Sequence, residues 1–117
     1  MKVNISWEEF DDLCYELANK IKASEKKYKS LSGIARGGLI VAVRLSHILG
    51  IPLVSNGELL VDDICDSGST LKFRLKLKGN GNSKDTATLH FRKGAIVKPT
   101  YWVRKKEDKW IVYPWEI

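Results

Sequence analysis

The sequence predicts an α/β fold with a mostly parallel sheet flanked by helices, and three observations carry that expectation. Short apolar runs alternate with segments whose apolar residues recur at three- and four-residue steps, the alternation of strand and helix that builds a parallel sheet. The run LLVDD, residues 59–63, is apolar up to a pair of carboxylates, as in a buried strand that ends in a polar turn. The helix-like segments carry their own start and stop signals, Ser6 with Glu9 before the first and Gly50 after the second. A chain of 117 residues has room for one modest core, so a single domain over 1–117 is expected.

The elements follow in order. Ser6-Trp7-Glu8-Glu9 reads as a capping box, a hydroxyl and a carboxylate serving each other's backbone N–H. Trp7, Phe10, Leu13, Cys14, Leu17, Ala18 and Ile21 then mark one face of a helix over 7–23. Residues 31–35 form a short apolar run, read as a buried strand, which Gly37-Gly38 breaks. LIVAVRLSHIL, residues 39–49, has nearly helical spacing and stops at Gly50. Residues 51–54 and 59–61 are further strand candidates. Residues 69–78 are read as a short helix, although TLKFRLKLK also alternates like a strand. Residues 79–85 read as a loop, and 86–91, 101–104 and 110–112 as strands.

Composition narrows the function classes. With 44% apolar and 29% charged residues the chain is not of the disordered type. It has no apolar run long enough to span a bilayer, and MKVNISWEEF lacks the apolar core of a secretory signal. Two cysteines far apart, Cys14 and Cys65, fit neither a zinc site nor a disulfide framework and suit a reducing cytoplasm. The net charge of +6 favours anionic partners, but the basic residues are spread along the chain, so a nucleic-acid patch is not expected. His47 and His90 show no sequence partner and read as structural.

The stretch LLVDDICDSGST, residues 59–70, is where chemistry concentrates. Ligands of open α/β sheets sit beyond the carboxyl ends of the strands. A turn into a helix there offers unpaired N–H groups and a positive dipole end, which suits a phosphate. Ser67, Ser69 and Thr70 add hydroxyls, and Gly68 lets the backbone come close. A phosphate cradle beside Asp62 and Asp63 suggests a ligand with both a phosphate and vicinal hydroxyls, such as a sugar phosphate. The acidic pair alone also fits a magnesium-binding phosphoryl-transfer site, or a plain polar strand end.

The full string resembles the phosphoribosyl-pyrophosphate motif of type I phosphoribosyltransferases. GIARGGLIVAVRLSHILGIP, residues 33–52, is similar to that family's pyrophosphate loop and following helix. TLHFRKGAIVKPTYW and KWIVYPWE are similar to the C-terminal part of its purine branch, the xanthine/hypoxanthine-guanine enzymes. The resemblance implies transfer of phosphoribosyl to a 6-oxopurine with Mg2+. Asp62 and Asp63 would face the ribose hydroxyls, directly or through the metal. Asp66 would act on the purine N7 proton, and Asp66 through Ser67, Gly68, Ser69 and Thr70 would form the 5-phosphate site. Ala35, Arg36 and Gly37 would hold pyrophosphate in a loop that often has a non-proline cis peptide. Trp110 would stack on the base, Ile111 would contact its edge, and Arg92, with Lys93 beside it, would stand where the family has a lysine near the 6-oxo group. By the same resemblance a homodimer is expected.

The family's long segment that closes over the site is missing, and the chain is shortened between residues 52 and 60. Four residues cannot join two neighbouring parallel strands. Either Asn56-Gly57 turns a hairpin that pairs the segment antiparallel to 58–62, or residues 52–55 are an irregular edge. Without a lid, two function classes stay open: a purine phosphoribosyltransferase, or a non-catalytic nucleotide or phosphoribosyl-pyrophosphate binding module.

Overall fold

The computed structural model describes residues 1–76 and 84–116. The elements are β1 (Lys2–Asn4), α1 (Trp7–Ala23), β2 (Leu31–Gly33), α2 (Gly37–Leu49), β3 (Leu59–Cys65), α3 (Ser69–Lys76), β4 (Asp85–Phe91), β5 (Tyr101–Lys105) and β6 (Trp110–Val112). The described strands make a four-stranded sheet in the order β2-β3-β4-β5 and a two-stranded one of β1 and β6, every pairing parallel. The predicted α/β class is found. Strand β1 was not expected; three residues of mixed polarity carry too little pattern, and β6 is what holds them. Residues 79–83 of the expected loop lie outside the described residues, and Asp85 already belongs to β4.

Helix α1 starts as its capping box dictates: Ser6 Oγ accepts from the Glu9 N–H at 3.0 Å and the Glu9 carboxylate reaches back to Ser6. Its buried face is Phe10, Leu13, Cys14, Leu17, Ala18 and Ile21. Helix α2 buries Gly38, Val41, Ala42 and Leu45 and ends at Gly50, whose φ of +68° is the left-handed conformation glycine adopts without strain. These two helices share one core with alternate residues of the sheet, among them Leu59, Val61, Ala87 and Leu89. Leu71 of α3 is buried on the other face with Leu60, Cys65 and Phe91, and Leu75 packs one turn on. That i, i+4 pair settles Ser69–Lys76 as helix and leaves Phe73 exposed, while residues 77–78 of the expected helix lie outside the described residues.

Residues 51–54 do not pair antiparallel with β3. The Asn-Gly hairpin is overturned and the irregular edge is found. Leu53 makes one parallel bridge to Leu31, with Leu31 N–H donating to Pro52 O at 3.0 Å and Val54 N–H to Leu31 O at 2.9 Å. The segment therefore lies outside β2, while β3 lies on β2's other side. The chain leaves β2 through α2 toward the sheet edge, then doubles back across the start of β2. Neighbouring parallel strands are not being joined by four residues, so the crossover difficulty disappears. The gap between β2 and β3 becomes the point where strand order reverses, the usual ligand position in such sheets.

The return path runs through Gly57, where an added Cβ would meet Leu31 backbone atoms at 2.4–2.8 Å. Lys84 holds this turn from below, donating to Gly57 O at 2.7 Å and to Asn56 Oδ1. Gly57→Ala is expected to cost about 1–3 kcal/mol, the cost of overpacking against backbone. Urea unfolding would show it as a lower midpoint at unchanged slope.

Candidate active site

Strand β3 is buried almost to its end because helices cover both faces, and this brings Asp62 and Asp63 to the carboxyl edge of the sheet with little water around them. Asp62 is 8% exposed. Its Oδ1 accepts from the Asp63 N–H at 2.9 Å, and Asp63 Oδ1 accepts from the Ile64 N–H at 2.8 Å. Burial, then the neighbouring Asp63 charge, pushes the Asp62 carboxyl up to about 8; burial likewise raises Asp63. Two acids so placed favour a cation or sugar hydroxyl donors between them.

The N-terminus of α2 meets this pair directly. A Cβ on Gly37 would lie 2.0 Å from Asp63 Oδ2, and one on Gly38 would lie 2.7 Å from Val61 O and 3.0 Å from Asp62 Oδ1. Only glycine allows so close an approach. It carries Ala35 and Arg36 to the same edge, and the peptide between them is cis, as the resemblance implied.

The opposite wall is the bend after β3. Gly68 has φ +88°, and its missing Cβ would strike Val97 N at 2.8 Å and Ile96 N at 3.0 Å. Ile96 N–H donates to Ser67 O at 2.9 Å, which ties the bend to the segment after β4. The Ser69 N–H donates to Ser67 Oγ at 3.2 Å; those of Ser67, Gly68 and Thr70 have no hydrogen-bond partner among the described residues. They lie at the start of α3, where such amides and the helix dipole attract an anion.

Ala35, Arg36, Gly37, Asp62, Asp63, Asp66, Ser67, Gly68 and Thr70 line one cavity of about 310 Å³. Ser69 stands just behind it, its hydroxyl bonded to that of Ser67 at 3.1 Å. A second cavity of about 670 Å³ adjoins it at Arg36, Gly37 and Asp63 and is closed by Ile40, Trp115 and Glu116.

The residues expected at the base are joined less tightly. Arg92 donates to Asp66 Oδ1 at 3.4 Å. Trp110 is 61% exposed, and Ile111 is half-buried against the main core. Lys93 is exposed after β4 and lines neither cavity. Lys106 was not expected at the site. Its ammonium donates to Asp66 Oδ2 at 3.1 Å and lies 5.9 Å from the Trp110 ring centroid. Lys106 stands 40 positions from Asp66 and was legible only as part of a short basic cluster. Partial burial acts to raise the Asp66 carboxyl, but the bonds and charges of Lys106 and then Arg92 together outweigh it and hold Asp66 below the usual carboxylate range.

Tyr113 also went unread. Its hydroxyl donates to Asp63 O at 3.2 Å and lies 2.7 Å from His90 Nδ1. With the phenol proton committed to Asp63, His90 is left to donate from Nδ1, and burial, with Arg104 adding to it, lowers His90 to about 4 and keeps it neutral. His90 thus supports the floor of the acidic pair. The signal that could have found Tyr113 is its place inside the KWIVYPWE segment.

Comparisons with known proteins bear on this geometry. No family model matches the chain. A crystal structure of a purine phosphoribosyltransferase from Pyrococcus horikoshii Ot3 superimposes with a TM-score of 0.86, is 36% identical, and covers 99% of this chain and 94% of its own. The chain belongs to the purine branch of the type I phosphoribosyltransferase family. A Neisseria gonorrhoeae protein solved with bound ppGpp gives a TM-score of 0.85 at 27% identity, covering 100% of this chain and 91% of its own. A xanthine-guanine phosphoribosyltransferase from Idiomarina loihiensis is 26% identical over 142 aligned positions, 97% of this chain and 86% of the relative. Because 142 positions exceed the 117 residues here, that relative carries segments this phosphoribosyltransferase lacks. The family is one of glycosyltransferase-class enzymes.

The raised acids make a stability prediction with a definite sign. The folded chain binds protons at Asp62 and Asp63 more tightly than an unfolded one, whose carboxyls titrate near ~4. Stability is therefore full below that value and falls as pH rises toward about 8, where Asp62 ionises. In the presence of a chelator, Asp62→Asn should leave Tm unchanged near pH 4. By pH 8 it should raise Tm by roughly 3–6 °C, the shift about 1 kcal/mol produces in a domain of this size.

Proposed function

We propose that the chain catalyses transfer of a phosphoribosyl group from phosphoribosyl pyrophosphate to a 6-oxopurine, giving a nucleoside 5′-monophosphate and pyrophosphate. The observation that carries this reading is the convergence of three ligand-specific walls on one cavity: the acidic pair, the Arg36 loop and the Ser67–Thr70 bend. A ribose with a 5-phosphate at one end and a leaving pyrophosphate at the other would present one group to each wall.

Each residue then has a task. The amides of Ser67, Gly68 and Thr70, with the hydroxyls of Ser67 and Thr70, hold the 5-phosphate. Asp62 and Asp63 accept from the 2- and 3-hydroxyls, and their field favours the cationic sugar that forms as the bond to C1 weakens. Arg36 pairs its fork with pyrophosphate. In the reaction the purine N9–C1 bond forms while the bond from C1 to the pyrophosphate oxygen breaks, and the electron pair leaves with pyrophosphate. The N7 proton passes to the Asp66 carboxylate. Trp110 and Ile111 flank the base, and Arg92, with Lys93 following it, serves its 6-oxo edge.

The donor set fits magnesium. Two adjacent carboxylates supply hard oxygens, and among the described residues no three His, Cys, Asp or Glu side chains converge to make an all-protein cage. That suits an ion which keeps several waters and completes its shell with substrate oxygens. Bound at Asp62 and Asp63, magnesium would offset the charge of the pyrophosphate.

The ppGpp bound to the Neisseria neighbour supports a phosphorylated nucleotide as ligand for this fold. We read the whole chain, 1–117, as one domain that works in the cytoplasm as a homodimer. Cys14 and Cys65, both buried and unpaired, fit a reducing compartment. Among the described residues no helix is long and apolar enough to cross a membrane.

The test is turnover by purified protein with magnesium, phosphoribosyl pyrophosphate and each of guanine, hypoxanthine and xanthine. Product is expected with at least one base, and Asp66→Asn should lower kcat by about 100-fold or more, the contribution of one proton acceptor. Saturable nucleotide binding with no product for any base would overturn transfer and leave a binding module.

A further inference from the structure

We propose that Lys106 is a positioning residue for the proton transfer, fixing the carboxylate of Asp66 toward the base; this rests on the transferase reading above. The place of its charge is unusual. The Lys106 side chain is only 9% exposed, although lysine ordinarily keeps its ammonium in water. A cation is retained there only if it is well paired, and its partner is Asp66, 3.1 Å away.

The backbone fixes where the lysine starts. Lys106 follows β5 directly, and its N–H donates to Phe91 O at 2.8 Å, extending the pairing with β4 by one residue. Its side chain then runs toward the carboxyl edge of the sheet, with the ammonium 5.9 Å from the Trp110 ring centroid. The ammonium thus touches both the proposed proton acceptor and the proposed stacking platform.

The two oxygens of Asp66 are served from different sides. Oδ2 takes Lys106 and Oδ1 takes Arg92, which also reaches Asp108 at 3.9 Å. Arg92 is half exposed, so water competes for its bond; Lys106 is the shielded member of the pair. Asp66 is itself 41% exposed and follows the end of β3, so without Lys106 its rotamer would rest on the half-exposed Arg92. The other charged or titratable groups around it are Arg92, Asp108 beyond Arg92, and Cys65 and Asp62 on β3. Cys65 stays a neutral thiol, its titration raised to about 11 chiefly by burial.

A proton acceptor loses efficiency when it swings away from the line of transfer or is no longer ionised, and Lys106 opposes both. Lys106 itself lines no wall of the ribose-phosphate cavity and reaches it only through Asp66, so its loss acts chiefly on kcat.

The experiment compares Lys106→Met, Lys106→Arg and the exposed neighbour Lys105→Met in steady-state transfer. Lys106→Met should lower kcat about 10- to 100-fold, part of what a proton acceptor supplies. Its KM for phosphoribosyl pyrophosphate should stay within about twofold, and the acidic limb of its kcat profile should move to higher pH. Lys106→Arg should recover most of the rate, and Lys105→Met should match wild type. The inference is overturned if wild type turns over and Lys106→Met keeps its kcat and pH profile. It is equally overturned if KM rises with kcat and Lys106→Arg is as impaired as Lys106→Met, because the lysine is then only a packing element. Absence of turnover by wild type with every base would instead defeat the transferase reading, and this inference with it.

Discussion

Everything at the carboxyl edge of the sheet depends on one close contact, the seating of the Gly37-Gly38 turn on the end of β3. At Gly37 there is no room even for a methyl group beside the Asp63 carboxylate, and at Gly38 none beside the Val61 carbonyl. Because α2 sits this low, its first turn lies against the acidic pair and brings Arg36 to the wall of the cavity. A larger residue at either position would lift the helix, separate the arginine loop from the acids, and open the core that Val41, Ala42 and Leu45 fill below. The chemistry and the packing of α2 are thus set by the same two glycines.

That seating concentrates charge in a place of low polarity, and the surroundings answer it unevenly. Asp62 is buried and Asp63 half-buried, the two are adjacent, and both are raised, a costly arrangement for two ionised carboxylates. Asp66, only a few residues further, is more exposed, paired with two cations and lowered. Neighbouring carboxylates pushed in opposite directions by burial and by charge partners are a recurring mark of functional sites. Below them Tyr113 and neutral His90 brace the Asp63 carbonyl, and Trp115 stacks on Tyr113 with ring centroids 4.9 Å apart and planes 1° from parallel. The C-terminal segment therefore both supports the acidic pair and closes the adjoining cavity.

Much of this was legible in the sequence wherever a local pattern sets the structure. The capping box at Ser6, the Gly50 stop and the helical spacing of α1 and α2 depend on neighbours in the chain, and they were read correctly. So were the strand, the glycine bend and the helix start within LLVDDICDSGST, because all three are encoded locally. What was not legible is what arrives from far along the chain. Strand β1 exists only because β6 pairs with it. Lys106 reaches Asp66 across strand order that no spacing rule reveals. The segment 51–54 misled because Asn56-Gly57 is a strong local turn signal; the Leu31 bridge and the crossing at Gly57 overrule it.

The short path from α2 to β3 has one more consequence. With residues 50–58 tucked against the start of β2, the cavity has no covering segment from this part of the chain, so on the proposed reading the ligand is held by its two ends and its diol. Binding then rests on the amides of the Ser67–Thr70 bend. The most direct measurement is a crystal structure with guanosine 5′-monophosphate bound. The account predicts phosphate oxygens within hydrogen-bond reach of the Ser67, Gly68 and Thr70 amides, with the ribose hydroxyls turned to Asp62 and Asp63. A phosphate lodged elsewhere, with those amides left to water, would contradict it.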